Sequence, residues 1–160
     1  MLRRSIDLSY QPFRFTALVD DCRVQIPYRI HFSSRPDLSD LPDTAKLVGA
    51  CLVSRSTDGY LRQSALRSML PQVTSWNAPF VVALVGEYIV EILDDISQAL
   101  PKMDAAPLGK FLRRNPELLR LICARVPSYW DAYYRHEFQR SAYPGFKILE
   151  AFSELTDTAP

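Results

Sequence analysis

The sequence predicts a mainly α-helical α+β fold, in which an N-terminal β-hairpin precedes five or six helices packed as antiparallel pairs around one core. Residues 13–32 alternate between apolar and polar side chains, as a half-buried strand does, and from residue 41 the apolar side chains recur at helical spacing. The chain has 160 residues, 48% of them hydrophobic, which suffices for a core without disulfides or metals. We expect one domain over residues 1–160, with a hairpin region over 1–36 and a helical region over 37–155.

The predicted hairpin turns at Asp20-Asp21 and has one apolar face. That face carries Phe13, Phe15, Ala17, Val19, Val24, Ile26, Tyr28, Ile30 and Phe32. Pro27 has no amide N–H, so the second strand should be an edge there, and residues 6–10 alternate in a way that allows a third strand. An isolated hairpin is marginally stable in water, so helices or a second copy of the chain should cover this face.

Prolines separate the predicted helices, which cover residues 41–54, 58–70, 80–100, 116–127, 128–139 and 146–155, with a shorter turn near Leu108. Asn77 opens the longest helix. Asn115 is expected to cap the next one, with proline at its first position and an acid in its first turn. Pro127 either kinks or ends that helix, and a separate aromatic helix follows.

Composition excludes several classes of protein. The five glycines are too scattered for a nucleotide-binding loop, and the longest apolar run, residues 80–85, is too short to cross a membrane. Cys22, Cys51 and Cys123 form no disulfide framework, and we expect buried, reduced thiols. With two histidines in the whole chain, a zinc site is not indicated. We expect a cytoplasmic protein without a metal or cofactor.

Residues 58–70, with the sequence Asp-Gly-Tyr-Leu-Arg-Gln-Ser-Ala-Leu-Arg-Ser-Met-Leu, resemble the second helix of a HEAT-like repeat. In that pattern an acid opens the helix, Leu-Arg follows, and Ala and then Met or Leu line the inner face. The resemblance covers one repeat and implies a single HEAT-like helix pair, because a solenoid needs about three repeats. Residues 76–91 and 129–135 resemble uncharacterised bacterial helical proteins, which implies a bacterial protein but no particular activity.

Two carboxylates are candidates for ligand binding because the helical pattern places them on apolar faces. Glu87 lies in the most apolar part of the longest predicted helix, and Glu137 lies on a face with Trp130, Tyr133 and Tyr134. A carboxylate among aromatic rings needs a cation or a hydrogen-bond donor, so we expect an arginine to pair with Glu137. The alternatives at this position are a ligand site or a catalytic group.

The charge is uneven along the chain, although the net charge is +1. Residues 37–109 are acidic and residues 110–147 are basic. Arg113, Arg114 and Arg120 in the basic segment are candidates for binding nucleic-acid phosphates, with neighbouring aromatic side chains stacking on bases. Alternatively, these arginines pack against the acidic central helix, which carries Glu87, Glu91 and Asp94.

No serine, cysteine or histidine has a catalytic partner at motif spacing, so the sequence favours a protein that is not an enzyme. Our leading hypothesis is a helical protein-interaction or regulatory module of the bacterial cytoplasm. It would bind an unknown protein partner, or a second copy of itself, through the hairpin edge or a groove between helices. Nucleic-acid binding is the first alternative, and a small-molecule or enzyme site around Glu137 is the second.

Overall fold

A computed structural model describes Ile6 and residues 13–157. Strands β1, Arg14–Val19, and β2, Cys22–Pro27, form an antiparallel hairpin. The seven α-helices of the described residues are α1 Asp43–Val53, α2 Gly59–Met69, α3 Ala78–Val85, α4 Val90–Ala99, α5 Ala106–Arg114, α6 Pro116–Tyr129 and α7 Pro144–Asp157. The predicted fold class, mainly α with an N-terminal hairpin, is confirmed.

The hairpin turns at Asp20-Asp21 and has one apolar face, as predicted. Asp20 and Asp21 have φ angles of 42° and 69°, as a two-residue turn of type I′ requires at both positions. Phe15 pairs with Ile26 and Ala17 with Val24, so the apolar side chains share one face. The strands are shorter than predicted, and Phe13, which precedes β1, is exposed rather than part of the covered face.

Beyond Pro27 the chain makes isolated bridges instead of continuing β2. Ile30 bridges to Ser56, with its N–H donating to the Arg55 carbonyl at 2.6 Å. Phe32 bridges to Ile6. Apart from Ile6, the third strand predicted over residues 6–10 lies outside the described residues. These bridges bring the segment after the hairpin against the turn that joins α1 to α2.

A side chain closes the outer edge of β1. Asn115 accepts the Leu18 N–H at 2.7 Å, and its amide nitrogen donates to the carbonyls of Leu18 at 3.0 Å and Phe111 at 2.8 Å. Asn115 precedes α6 as expected, but its side chain does not cap the helix, because it is occupied by the strand. The helices therefore hold this edge of the hairpin.

Helix α3 lies at the centre of the core because almost all its residues are buried, which suits a segment that is apolar on every side. Helices α4, α5 and α6 pack on α3, and α7 packs across the same three helices. Helix α2 begins at the predicted position, where the Asp58 carboxylate accepts the N–H groups of Tyr60 and Leu61. The fully buried large apolar side chains include Leu66, Met69, Leu84, Ile92, Leu93, Ile96, Leu108, Leu112, Ile122 and Phe152.

The single long helix predicted over residues 80–100 is wrong, because the chain breaks between α3 and α4 over residues 86–89. Glycine has low helix propensity, and Gly86 ends α3. A Cβ atom at Gly86 would lie 3.3 Å from Ile122 Cγ1, so the glycine also allows α6 to approach closely. The break directs Glu87 away from the acidic face of α4.

The separate aromatic helix predicted over residues 128–139 is also wrong. Helix α6 continues through Pro127 to Tyr129, and a π-helical turn, Trp130–Tyr134, follows. Proline supplies no N–H for the α-helical bond to the carbonyl four residues earlier, which weakens the helix here. The Arg135 N–H then bonds to the Trp130 carbonyl at 2.8 Å, five residues back, and the chain leaves the helix.

The cysteines are all free, but burial was predicted correctly for one of them. Cys51 is buried beside Met69, with 3.5 Å between their sulfur atoms, and burial raises the pKa of its thiol to about 12. Cys22 and Cys123 are exposed. Cys22 follows the hairpin turn directly, and Cys123 lies on the outer side of α6.

Candidate functional site

Glu87 lies among three arginines. Its Oε1 accepts hydrogen bonds from Arg29 Nη1 at 3.0 Å and Arg55 Nη2 at 2.9 Å, and its Oε2 lies 2.6 Å from Arg62 Nε. The side chains of Glu87, Arg55 and Arg62 are 4%, 1% and 3% exposed, whereas Arg29 is 30% exposed. We call these four residues the arginine cluster.

The four residues of the arginine cluster come from separate parts of the fold. Arg29 follows β2, Arg55 lies in the turn after α1, Arg62 lies in α2, and Glu87 lies in the break between α3 and α4. One carboxylate therefore connects the hairpin region to the first four helices.

Backbone carbonyls complete much of the hydrogen bonding of the guanidinium groups. The acceptors are Tyr28 for Arg29, Ser54 for Arg55, and both Ser56 and Thr57 for Arg62, at 2.7 to 3.0 Å. The Nε–H of Arg62 makes no hydrogen bond, so its contact with Glu87 Oε2 is an ion pair alone. Carbonyl dipoles reduce the cost of burying the guanidinium groups but leave their charge in place.

The positive charge of the arginine cluster exceeds its negative charge, since one carboxylate faces three guanidinium groups. Burial lowers the pKa of Arg55 to about 10, the Glu87 carboxylate opposes this shift, and the neighbouring charges of Arg29 and Arg62 add to it. Arg55 is still charged at neutral pH, so the excess of positive charge is real under physiological conditions.

Glu87 was predicted as a buried candidate residue, but its partners were not. Arg29 and Arg55 lie 58 and 32 positions away in the chain, and no helix or strand spacing relates them to Glu87. The sequence instead suggested that C-terminal arginines pack against the acidic central helix. A carboxylate beside a glycine inside an otherwise apolar segment would have been the sequence signal for a helix break with a buried ion pair.

The three C-terminal arginines each bind a different oxygen partner. Arg113 donates to the Leu155 carbonyl at 2.6 Å, Arg114 pairs with Asp21 of the hairpin turn, and Arg120 pairs with Glu117 on its own helix at 2.5 Å. The acidic face of α4 is not their partner. Asp95 of that helix pairs with Arg67 instead, at 2.8 Å.

Glu137 does not have the predicted arginine partner. It is exposed, in a turn after the π-helical segment, and its side chain makes no ion pair or hydrogen bond with the described residues. The nearest arginine in sequence, Arg135, pairs with Asp131 at 3.1 Å. A continuous α-helix would have placed Glu137 on the aromatic face, but the π-helical turn ends the helix at Tyr134 and removes that alignment.

Three tyrosines form an exposed aromatic surface at the junction of the α3–α4 break and the end of α6. The ring centroids of Tyr88 and Tyr133 are 5.9 Å apart, and each lies 6.2 Å from that of Tyr129. Tyr88 is 49% exposed and Tyr133 is 59% exposed. We call Tyr88, Tyr129 and Tyr133 the tyrosine surface.

Packed aromatic side chains support the tyrosine surface from below. Tyr134 donates its hydroxyl hydrogen to the Tyr88 carbonyl at 2.6 Å and stacks on the buried Tyr143 at 5.5 Å between centroids. Trp130 donates to the Phe138 carbonyl at 3.0 Å. Of the predicted aromatic residues, Tyr133 therefore lies at the surface, whereas Trp130 and Tyr134 hold the segment in place.

Glu91 and Glu137 belong to the segments that carry the tyrosine surface, three positions after Tyr88 and four positions after Tyr133. Burial raises the pKa of Tyr134, and the negative charges of Glu91 and Glu137 raise it further. Both glutamates are exposed. An aromatic surface and acidic side chains are thus available to the same partner.

The described residues contain no group of three or more histidine, cysteine, aspartate or glutamate side chains placed to hold a metal ion. None of the helices there is long and apolar enough to cross a membrane. No protein family, curated protein or solved structure matches this chain, so the HEAT-like resemblance stays a prediction.

Proposed function

We propose that this protein is a non-catalytic interaction module of the bacterial cytoplasm, which binds an arginine- or lysine-rich segment of a partner protein at the tyrosine surface. The observation that carries this proposal is the exposure of Tyr88 and Tyr133 with their rings in contact. Tyrosine is enriched at protein interfaces because it buries a large amphipathic ring and loses little conformational entropy.

The surroundings of the tyrosine surface favour a basic partner. The face of a tyrosine ring attracts guanidinium and ammonium groups, by about 0.5 to 1 kcal/mol at an exposed site. Glu91 and Glu137 add negative charge to the segments that carry these rings, which attracts a basic segment and repels nucleic-acid phosphates. The Tyr134 hydrogen bond to the Tyr88 carbonyl limits the motion of the surface, which lowers the entropic cost of binding.

The alternatives have less support in the geometry. Arg113, Arg114 and Arg120 already bind oxygen atoms of the chain, and they would have to release them to bind phosphates. Glu137 lies in an exposed turn, where a small-molecule or catalytic site would have few walls. Among the described strands, β2 pairs with β1 alone, so a homodimer through the β2 edge stays a prediction.

Alanine substitution of Tyr133 tests the proposed function. A fluorescent peptide of alternating arginine and glycine is titrated with the protein, and its anisotropy is measured. We expect Tyr133→Ala to weaken binding about two- to fivefold, as the loss of one exposed cation–π contact implies. Glu91→Gln should weaken binding at low salt and have a smaller effect at high salt.

Tyr60→Ala is the matched control, because Tyr60 is 87% exposed on α2, away from the tyrosine surface. This variant should bind the peptide like the unchanged protein. A peptide of alternating glutamate and glycine and a single-stranded oligonucleotide serve as competing probes. The proposal is wrong if the unchanged protein does not bind the basic peptide, if Tyr60→Ala and Tyr133→Ala bind it equally, or if the oligonucleotide binds more tightly.

A further inference from the structure

The arginine cluster carries a charge of about +2 that its own residues do not neutralise. Placing a guanidinium group in the core costs several kcal/mol unless an anion compensates it, and Glu87 is the only carboxylate that contacts these arginines among the described residues. Replacing a buried ion pair or triad with apolar side chains of similar volume is often neutral or stabilising, so a buried excess of positive charge needs an explanation. The excess therefore points to a second anion.

Arg125 adds a further positive charge next to the arginine cluster. Its guanidinium carbon lies 5.2 Å from the centre of the Tyr28 ring, and the Tyr28 carbonyl accepts a hydrogen bond from Arg29. The Arg125 side chain also passes Gly86, where a Cβ atom would lie 3.4 Å from Arg125 Cδ. Gly86 directly precedes Glu87. Among the described residues, no carboxylate pairs with Arg125.

Arg29 and Arg125 both border Tyr28 and both keep some solvent exposure. Arg29 is 30% exposed, and Arg125 is also partly exposed, whereas Arg55 and Arg62 are buried behind them. A ligand at Arg29 and Arg125 would thus feel the charge of the buried guanidinium groups without entering the core. Guanidinium groups present paired N–H donors that match the oxygen atoms of phosphate and carboxylate.

We propose that Arg29 and Arg125 bind a doubly charged oxyanion, either inorganic phosphate or the phosphate group of a small phosphomonoester. A charge of about −2 at neutral pH matches the excess of the arginine cluster, which chloride or a single carboxylate would only half neutralise. The site is separate from the tyrosine surface and does not depend on the function proposed there. It makes the protein a sensor or carrier of a phosphorylated small molecule in addition to an interaction module.

Calorimetric titration of the full chain with inorganic phosphate tests the site, with ionic strength held constant by potassium chloride. We expect saturable binding of one phosphate per chain and a matching saturable rise of Tm. Arg125→Gln should weaken binding tenfold or more. Arg29→Gln should do the same. Arg125→Gln keeps the test valid if the Arg29 variant does not fold, because Glu87 forms its ion pairs with Arg29, Arg55 and Arg62 and not with Arg125.

Arg14→Gln is the control, because Arg14 is an exposed arginine of β1, and it should bind phosphate like the unchanged protein. A parallel titration with O-phosphoserine separates the two sources of the ligand. Tighter binding of phosphoserine identifies a phosphomonoester, and tighter binding of phosphate identifies the free ion. Either result supports the site if Arg125→Gln weakens that binding tenfold or more. The proposal is overturned if neither probe binds saturably, or if Arg125→Gln and Arg14→Gln bind with equal affinity.

Discussion

Replacing Glu87 with glutamine is expected to lower the free energy of unfolding by about 3 to 5 kcal/mol, the usual cost of removing one partner from a buried ion pair. Glutamine keeps the size of the side chain, so packing changes little. It removes the only negative charge in contact with Arg29, Arg55 and Arg62 among the described residues, and it turns an acceptor oxygen into an N–H donor that faces guanidinium groups. Urea unfolding followed by circular dichroism measures the difference.

Glu91→Gln is the matched control for this substitution, because Glu91 is an exposed glutamate four positions later in the same region of the chain. Its effect should stay within about 0.5 kcal/mol. Adding Arg55→Met to Glu87→Gln should recover part of the lost stability, since an apolar side chain then replaces a buried charge. A loss below about 1 kcal/mol for Glu87→Gln would show that water or the backbone carbonyls compensate the charges, contrary to our interpretation.

Asn115→Ala has the second large expected effect, a loss of about 2 to 4 kcal/mol. The substitution leaves the N–H and carbonyl of Leu18 and the carbonyl of Phe111 without their partner, and each buried polar group without a partner costs about 1 to 3 kcal/mol. Water can reach the partly exposed Leu18, so the expected loss of stability is smaller than the cost of three fully buried polar groups without partners. Urea unfolding measures the loss, and faster hydrogen exchange of the Leu18 amide locates it at β1.

Gln25→Ala provides the comparison for Asn115→Ala. Gln25 is exposed on β2, and within the described part of the chain its side-chain amide bonds only to Thr16, at 3.3 Å. Its removal should change the free energy of unfolding by less than about 0.5 kcal/mol. If Asn115→Ala is as mild as Gln25→Ala, then the hydrogen bonds of Asn115 do not hold the hairpin to the helices.

Hydrophobic periodicity predicted the parts of the fold that depend on interactions between residues close in sequence. The alternation of Phe15, Ala17, Val24 and Ile26 was enough to predict the apolar face of the hairpin, and the observed register keeps these side chains together, because a shift by one residue would expose the whole face. The break after Gly86 was missed because apolar side chains continue at helical spacing on both sides of it. Contacts between distant segments, not periodicity, decide whether such a glycine ends a helix.

The candidate site was predicted only in part, for the same reason. A carboxylate in an apolar segment marked Glu87 as buried, but its partners come from regions that fold beside it without any shared spacing. Glu137 was assigned to the aromatic face on α-helical geometry. The π-helical turn after Pro127 ends the helix at Tyr134, before Glu137, and sequence periodicity carries no sign of that end.

The arginine cluster also affects the cooperativity of unfolding. Glu87 binds one arginine that follows the hairpin and two that belong to the first helix pair, so none of these parts can detach without breaking an ion pair of this buried carboxylate. Partial opening is therefore costly compared with complete unfolding. The hairpin would be unstable alone, and this ionic contact makes it unfold together with the helices.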